Sequence, residues 1–391
     1  MKRLLYILAA LCVAASCSQV PDDAPISVIP QPSSLVRGSG HFTINKGTAI
    51  EIPDTQDEEM LRIAGFINEK FSKAAGFTLD VTGYDGGDNA VVFRNDPSME
   101  CEHYRISATE QGITVTYGDG AGAFYAVQTL FQLLPAGIFA QTGQNGVKWT
   151  VPCCEIEDGP RFAYRGMHLD CCLHFFEIEF LKKYIDEMAL HKVNRFHWHL
   201  TEDQGWRLEI KKYPLLTEKG QWRKETVIGS LKSGIYDGTP HGGYYSQEEV
   251  RDLVKYAAER YVTIIPEIEM PGHALAAIAC YPELSCGLEE SYETATKWGV
   301  FKQVFCPKDG TFKFLEDVMD EVFDQWTGAF NENDYHRLFA RWHERDLRAA
   351  IRANRNHPCI VLWGLGNEIA EQRSDLGMYD IGLFRENGLK L

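Results

Sequence analysis

From Tyr164 onward the chain repeats one pattern, and that pattern limits the folds open to it. A short apolar run ends in charged residues, and an amphipathic stretch of helical period follows. Gly166–Asp170 is such a run, closing on a carboxylate, and Glu179–Leu190 is the amphipathic stretch behind it. Arg195–Leu200 is the next run, and Glu248–Arg260 followed by Val262–Glu267 repeats the alternation. Strands joined through helices lie parallel, so the polar residues after each strand gather at one end of the sheet. A parallel β/α barrel meets that description. It places Asp170, Asp203 and His273 at the C-terminal strand ends, where such barrels build their active sites. The rival is an open doubly wound sheet, but no glycine-rich phosphate loop follows the first strand.

The region ahead of the repeat is of another kind. Within Met60–Ala75, residues Leu61, Ala64, Phe66, Ile67 and Phe71 fall at roughly helical spacing, and Ile113–Tyr117 alternates as a strand does. Gly118–Gly120 turns the chain and Ala121–Leu134 returns to a helical period, giving a small α+β domain over 26–160 with no catalytic cluster of its own. Residues 1–17 are an export signal rather than fold: Lys2 and Arg3 precede the apolar Leu4–Ala15, and small residues lead to Cys17. The stretch resembles a bacterial lipoprotein signal in which Cys17 becomes the lipidated first residue. Ala14 stands where such signals usually carry a larger aliphatic residue, so plain secretory cleavage stays open. Either route puts the protein in the cell envelope or periplasm, with a membrane as partner only through a lipid at Cys17. Residues 18–25 form a polar tether.

A formal net charge of −16 argues against nucleic acid as a partner, because an acidic surface repels phosphate. The eight tryptophans read either as core or as platforms for sugar faces. Of eleven cysteines, Cys12 and Cys17 belong to the signal; the nine others include the neighbours Cys153-Cys154 and Cys171-Cys172. An odd count with adjacent pairs is a poor disulfide framework, and no C-x-x-C spacing suggests zinc, so they read as mostly buried small apolar residues. No cofactor or metal is implied.

The densest chemistry lies in His197–Arg207, where two imidazoles, two carboxylates, an arginine and two indoles share one strand end. Groups buried that closely need one another as partners and shift each other's pKa. This string, "NRFHWHLTEDQGWR" at 194–207, resembles glycoside hydrolase family 20, the β-N-acetylhexosaminidases. So do "RGMHLDCCLHFF" at 165–176 and "IPEIEMPGH" at 265–273, with "VIPQPSSL" at 28–35 and "GAGAFYAVQTLFQLL" at 120–134 in the domain ahead. The resemblance covers about 26–316, with the first part of the catalytic barrel at 161–316. It implies retaining hydrolysis in which the substrate's own acetamide oxygen attacks the anomeric carbon, so no protein nucleophile is required. It implies a glycan with a terminal N-acetylhexosamine as substrate. Asp203 and His273 would support the acid, and Asp170, His199, Trp206 and Glu269 would line the sugar site.

Two departures stand against that pattern. Leu173 occupies the position of an arginine that grips sugar hydroxyls in the family, and the family's Gly-Gly-Asp-Glu occurs nowhere in the chain. The one Asp-Glu after His273, Asp320-Glu321, lies in a helical pattern whose apolar side is Phe314, Leu315, Val318, Met319, Val322 and Phe323, so it reads as an outer helix face rather than a catalytic pair. Past a join within 314–326, the segment 317–391 changes character, and "DYHRLFARWHERDLRAAIRANRNHPCIVLWGLGNE" at 334–368 resembles glycoside hydrolase family 2, the β-galactosidase type. That resemblance makes Cys359–Leu365 a fourth barrel strand and Glu368 the general acid/base. The expected fold is therefore α/β: a small α+β domain followed by an incomplete (β/α)8 TIM barrel of about four β/α units. The alternatives to a working hexosaminidase are an inactive hybrid or truncated fragment, or a glycan-binding remnant, and, more weakly, a β-galactosidase-type enzyme.

Overall fold

The computed structural model describes residues 25–230, 232–286 and 291–326. The expected signal with Cys17, the fourth strand and Glu368 lie outside these residues. By internal contacts the chain divides into two units. The first runs to Met167 and takes in Lys183–Arg195 and Glu259–Val262; the second holds His168–Lys182, Phe196–Ala258 and the chain from Thr263.

The first unit is built on a seven-stranded sheet. Its elements are β1 (Ser34–Ile44), β2 (Ala49–Glu51), α1 (Glu58–Ala74), β3 (Asp80–Thr82), β4 (Ala90–Asn95), β5 (Tyr104–Ala108), β6 (Ile113–Tyr117), α2 (Gly120–Leu133) and β7 (Trp149–Asp158). The strand order is β1-β7-β5-β6-β4-β2-β3. The first three pairs are antiparallel and the last three parallel. Helix α2 is buried on nearly every side, as its run of Phe124, Val127, Leu130 and Phe131 requires. Asp119 caps it by accepting the Gly122 N–H at 2.8 Å. A Cβ at Gly122 would come within 2.3 Å of the His103 carbonyl, so only glycine lets the helix start there. A buried charge pair completes this unit. Lys192 Nζ lies 2.7 Å from both Asp158 Oδ2 and the Tyr104 hydroxyl. Burial would raise the Asp158 pKa, but Lys192 and the Tyr104 hydroxyl outweigh it and hold it low.

The second unit carries the strand–helix alternation. Its elements are β8 (Gly166–Asp170), α3 (Ile178–Leu190), β9 (Arg195–His199), β10 (Thr201–Glu202), β11 (Gly205–Trp206), α4 (Leu215–Glu218), α5 (Gln247–Ala258), β12 (Thr263–Glu267), α6 (Leu275–Cys280) and α7 (Asp309–Trp326), with Gly166 and Met167 of β8, α3 from Lys183 onward and Arg195 of β9 belonging to the first unit. Strand β9 lies between β8 and β12. The Arg195 N–H donates to the Arg165 carbonyl near one end of β9, and the Cys171 N–H donates to the His199 carbonyl at the other. Strands β8 and β9 therefore run the same way, as the alternation predicts. The predicted helices and strands of this region lie within two residues of the observed ones. Helices α4 and α6, at four and six residues, are too short to print a period in the sequence.

Helix α7 buries Phe314, Val318 and Val322, the predicted apolar side. Its Glu321, however, is not idle on an outer face. The carboxylate accepts N–H groups from Lys211 at 2.7 Å and Lys212 at 3.0 Å and the Gln247 amide at 2.6 Å, which ties α7 to the loop before α4 and to α5. A carboxylate committed three times over is a fastening, and Asp320-Glu321 is not a catalytic pair. The reading of the cysteines needs one correction. Cys286 and Cys306 form a disulfide, whereas Cys153, Cys154, Cys171, Cys172 and Cys280 are free and buried as expected. Sequence spacing could not reveal that pair, because the two sulfurs meet only through the path of the loop between β12 and α7. Among the described residues, no helix is long and apolar enough to cross a membrane.

Candidate active site

Side chains two apart on a strand point the same way, so three neighbouring strands stack their inward residues in layers. Asp170, His199 and Glu269 form one layer at the strand ends, and His168, His197 and Glu267 form the layer beneath it. In the upper layer Asp170 Oδ1 accepts the N–H groups of Cys172 at 2.7 Å and Leu173 at 3.0 Å, so the turn after β8 locks its carboxylate in place. His199 is buried; its Nδ1 stands 3.7 Å from Asp170 Oδ1 and its Nε2 3.8 Å from Glu269 Oε1. The same Nε2 donates to the Thr201 carbonyl at 2.9 Å, which fixes the ring. Glu269 is oriented through its own N–H, given to Thr201 Oγ1 at 2.8 Å.

A second cluster forms where the loop after β9 meets the loop after β12. Asp203, buried, accepts the Leu275 N–H at 2.9 Å through Oδ1, while its carbonyl accepts the Ala295 N–H at 2.9 Å. His273 sits at φ 52°, a left-handed conformation costly for a residue with a Cβ. That backbone turns its Nδ1 to within 2.6 Å of Glu202 Oε1 and 3.3 Å of Asp203 Oδ2. Of the two carboxylates, that of Glu202 lies nearer the ring. Glu202 was missing from the expected site, and its adjacency to Asp203 was the signal that could have found it.

Charges in these clusters push one another hard. Burial, reinforced by the Asp203 carboxylate, pushes the Glu202 pKa up to about 8, so Glu202 holds its proton at neutral pH. Burial also raises Asp203 and Glu269. Burial would lower His199, but the Asp170, Glu267 and Glu269 carboxylates outweigh it and lift its pKa to about 9. The His197 hydrogen bond takes Glu267 down to about 2 against the opposing effect of burial. A proton-bearing carboxyl beside a carboxylate and an imidazole is the arrangement that divides acid from base work.

The directions fix a pH profile. The His199 contribution to stability is complete below pH 6.5 and is lost as pH rises through 9. Folded Glu202 binds a proton that the unfolded chain releases above 4.5, so it too erodes stability on the way to about 8. Glu267 acts oppositely: its contribution is present above 4.5 and lost as pH falls toward 2. The melting temperature should therefore drop by roughly 5–10 °C between pH 6 and 9.5. His199→Gln should remove most of that alkaline limb, and an equally steep limb in the variant would refute the assignment.

The expected residues fare unevenly. Asp170, His199 and Glu269 come together, as do Asp203 and His273. Trp206 does not join them: it is 2% exposed, its Nε1 donates to the Leu208 carbonyl at 2.7 Å, and its ring packs edge-on to Phe314. The assignment of Trp206 to the sugar surface is corrected to packing, because both ring and N–H are already used. Glu368 lies outside the described residues.

The model for glycosyl hydrolase family 20, catalytic domain, matches residues 162–336, and that for glycosyl hydrolase family 20, domain 2, matches 25–159. The chain belongs to glycosyl hydrolase family 20. A β-hexosaminidase of Porphyromonas gingivalis is 41% identical over 343 residues, 84% of this chain and 42% of that protein. One of Vibrio furnissii is 35% identical over 78% of this chain and 48% of its own length. The chain thus spans less than half the length of these relatives. Among solved structures, a Streptomyces plicatus N-acetyl-β-hexosaminidase bound to Thio-NAglucal superposes with a TM-score of 0.68 at 35% identity, covering 78% of this chain and 60% of that one. The fold these matches share is α/β, an N-terminal domain with a TIM-type barrel. The catalytic-domain match extends to 336, past the join expected within 314–326, and none of these matches supports the expected family 2-like segment.

Proposed function

We infer that the chain is a β-N-acetylhexosaminidase-type hydrolase, removing a terminal β-linked N-acetylhexosamine by attack of the substrate's own acetamide. The observation that carries this reading is the Glu202–His273–Asp203 cluster, built on the buried Asp203, beside the Asp170–His199–Glu269 layer, both held by backbone hydrogen bonds. A site held so firmly suits a reaction whose nucleophile comes with the substrate, since the protein has only to orient groups and move protons. In this reading His273 and Asp203 support the acid, Asp170 and Glu269 face the sugar, and Glu368 donates the proton to the leaving oxygen.

The test is phenol release from an aryl N-acetyl-β-glucosaminide by the full chain. Asp203→Asn and Glu368→Gln are each expected to lower kcat by about 10²–10⁴-fold. Activity that survives Glu368→Gln removes Glu368 from the mechanism, and wild-type turnover in both variants removes the reading altogether. Binding of N-acetylglucosamine without turnover would instead identify a glycan-binding protein.

A further inference from the structure

We propose that His168, His197 and Glu267, the layer beneath the sugar-facing one, form a binding site for a divalent transition-metal ion of the zinc class. Interior layers of a parallel barrel are normally filled by branched apolar side chains. Here three adjacent strands each contribute a metal-binding side chain to the same layer. His197 Nε2 lies 2.8 Å from Glu267 Oε2, and His168 Nε2 lies 3.5 Å from that same oxygen. The ligating atoms of all three fall within 4.8 Å of one another. The two imidazoles meet edge to face, with ring centroids 4.7 Å apart. Two histidines and one carboxylate are a recurrent set for zinc and its neighbours, and they leave a further position for water.

The spacing fits an ion. Bonds of about 2.0–2.1 Å in a tetrahedron put ligand atoms about 3.3 Å apart. The His168–Glu267 gap is already near that value, and the His197–Glu267 pair has to open by only about half an ångström. The groups that approach Glu267 Oε2 are the His197 and His168 imidazoles, and both belong to the proposed ligand set, so an ion would replace these contacts without taking the carboxylate from another partner.

Three other groups of potential ligands exist among the described residues, and each is committed elsewhere. In Asp170–Cys172–His199, Asp170 Oδ1 serves two backbone N–H groups and the Cys172 thiol donates to the His199 carbonyl. In His199–Glu267–Glu269, the His199 Nε2 is given to Thr201. Glu202–Asp203–His273 is the candidate active site itself.

The proposal does not depend on hydrolase activity, and neither does its test. The full chain, stripped with EDTA, is titrated with Zn²⁺ by calorimetry and with Co²⁺ by visible spectroscopy. One ion per chain is expected, with a Co²⁺ d–d band of tetrahedral or five-coordinate intensity. His168→Ala and Glu267→Gln should each weaken binding by about tenfold or more. His168 is half exposed, so its variant should melt with the metal-free wild type, and only the wild type should gain melting temperature on adding Zn²⁺. Should His168→Ala melt lower, His168→Gln replaces it, keeping the bulk without the imidazole. No saturable binding in the wild type overturns the proposal, and so does wild-type affinity in the His168 variant, which would place the ion elsewhere.

Discussion

Arg207→Leu should destabilise the unit around the candidate site by about 3–5 kcal/mol, the largest stability effect expected of any single substitution here. Arg207 is fully buried, and among the described residues it forms no ion pair with a carboxylate. Its guanidinium instead donates to four carbonyls: Cys171 at 3.0 Å, Gln221 at 2.7 Å, Gly243 at 3.1 Å and Cys172 at 2.6 Å. Those carbonyls belong to the turn after β8, the loop after α4 and the loop before α5, so one planar group pins three segments around the site. Leucine would leave them buried without a donor, each at a cost of about 1–3 kcal/mol less whatever relaxation recovers. Lysine keeps the charge but presents a compact ammonium in place of a fork of five N–H groups, so Arg207→Lys should recover only a minor part. Equilibrium urea unfolding of the full chain, followed by tryptophan fluorescence, measures this. A loss below about 1 kcal/mol for Arg207→Leu would show that the carbonyls find other donors. Gly205 has a related constraint: a Cβ there would meet the guanidinium carbon at 2.4 Å.

Arg207 also marks where sequence reading stops. It stands in one string with Glu202 and Asp203, yet its hydrogen bonds go to the backbone. Residue identity reveals that a charge must be compensated, and only the path of the chain decides by what. The alternation of Gly166–Asp170, Arg195–His199 and Thr263–Glu267 with helices was legible because strand and helix periods differ and extend over many residues. The layer of Asp170, His199 and Glu269 was legible because it sits at the strand ends. The layer beneath it was equally readable, two residues earlier on each strand, but each histidine alone looks like an ordinary core residue. What no period could show was the left-handed backbone of His273, the Cys286–Cys306 link and the burial of Trp206. All three depend on loops whose course is set by long-range packing.

Leu173→Arg is expected to tighten binding of N-acetylglucosamine by about 10–100-fold, given the hydrolase reading above. The backbone of the motif is intact at this position: the Leu173 N–H donates to Asp170 Oδ1 at 3.0 Å, and its carbonyl accepts Arg223 Nη2 at 2.8 Å. The side chain is 41% exposed, so a longer one can extend without displacing core. A guanidinium there would supply one or two charge-assisted hydrogen bonds to sugar hydroxyls, each worth about 1.5–3 kcal/mol, less the entropy of ordering the side chain. Arg223 is already cationic and close to that backbone, so part of the gain will be lost to like-charge repulsion, which puts the lower end of the range within reach. Calorimetric titration of the wild type, Leu173→Arg and Leu173→Lys separates the contributions. Charge alone predicts equal gains for the two variants, whereas forked donation predicts that arginine exceeds lysine. Unchanged affinity in Leu173→Arg, with an unchanged melt, would mean that the sugar does not lie against the turn after β8. The same result would take Asp170 off the sugar surface, because its carboxylate is fixed by that turn.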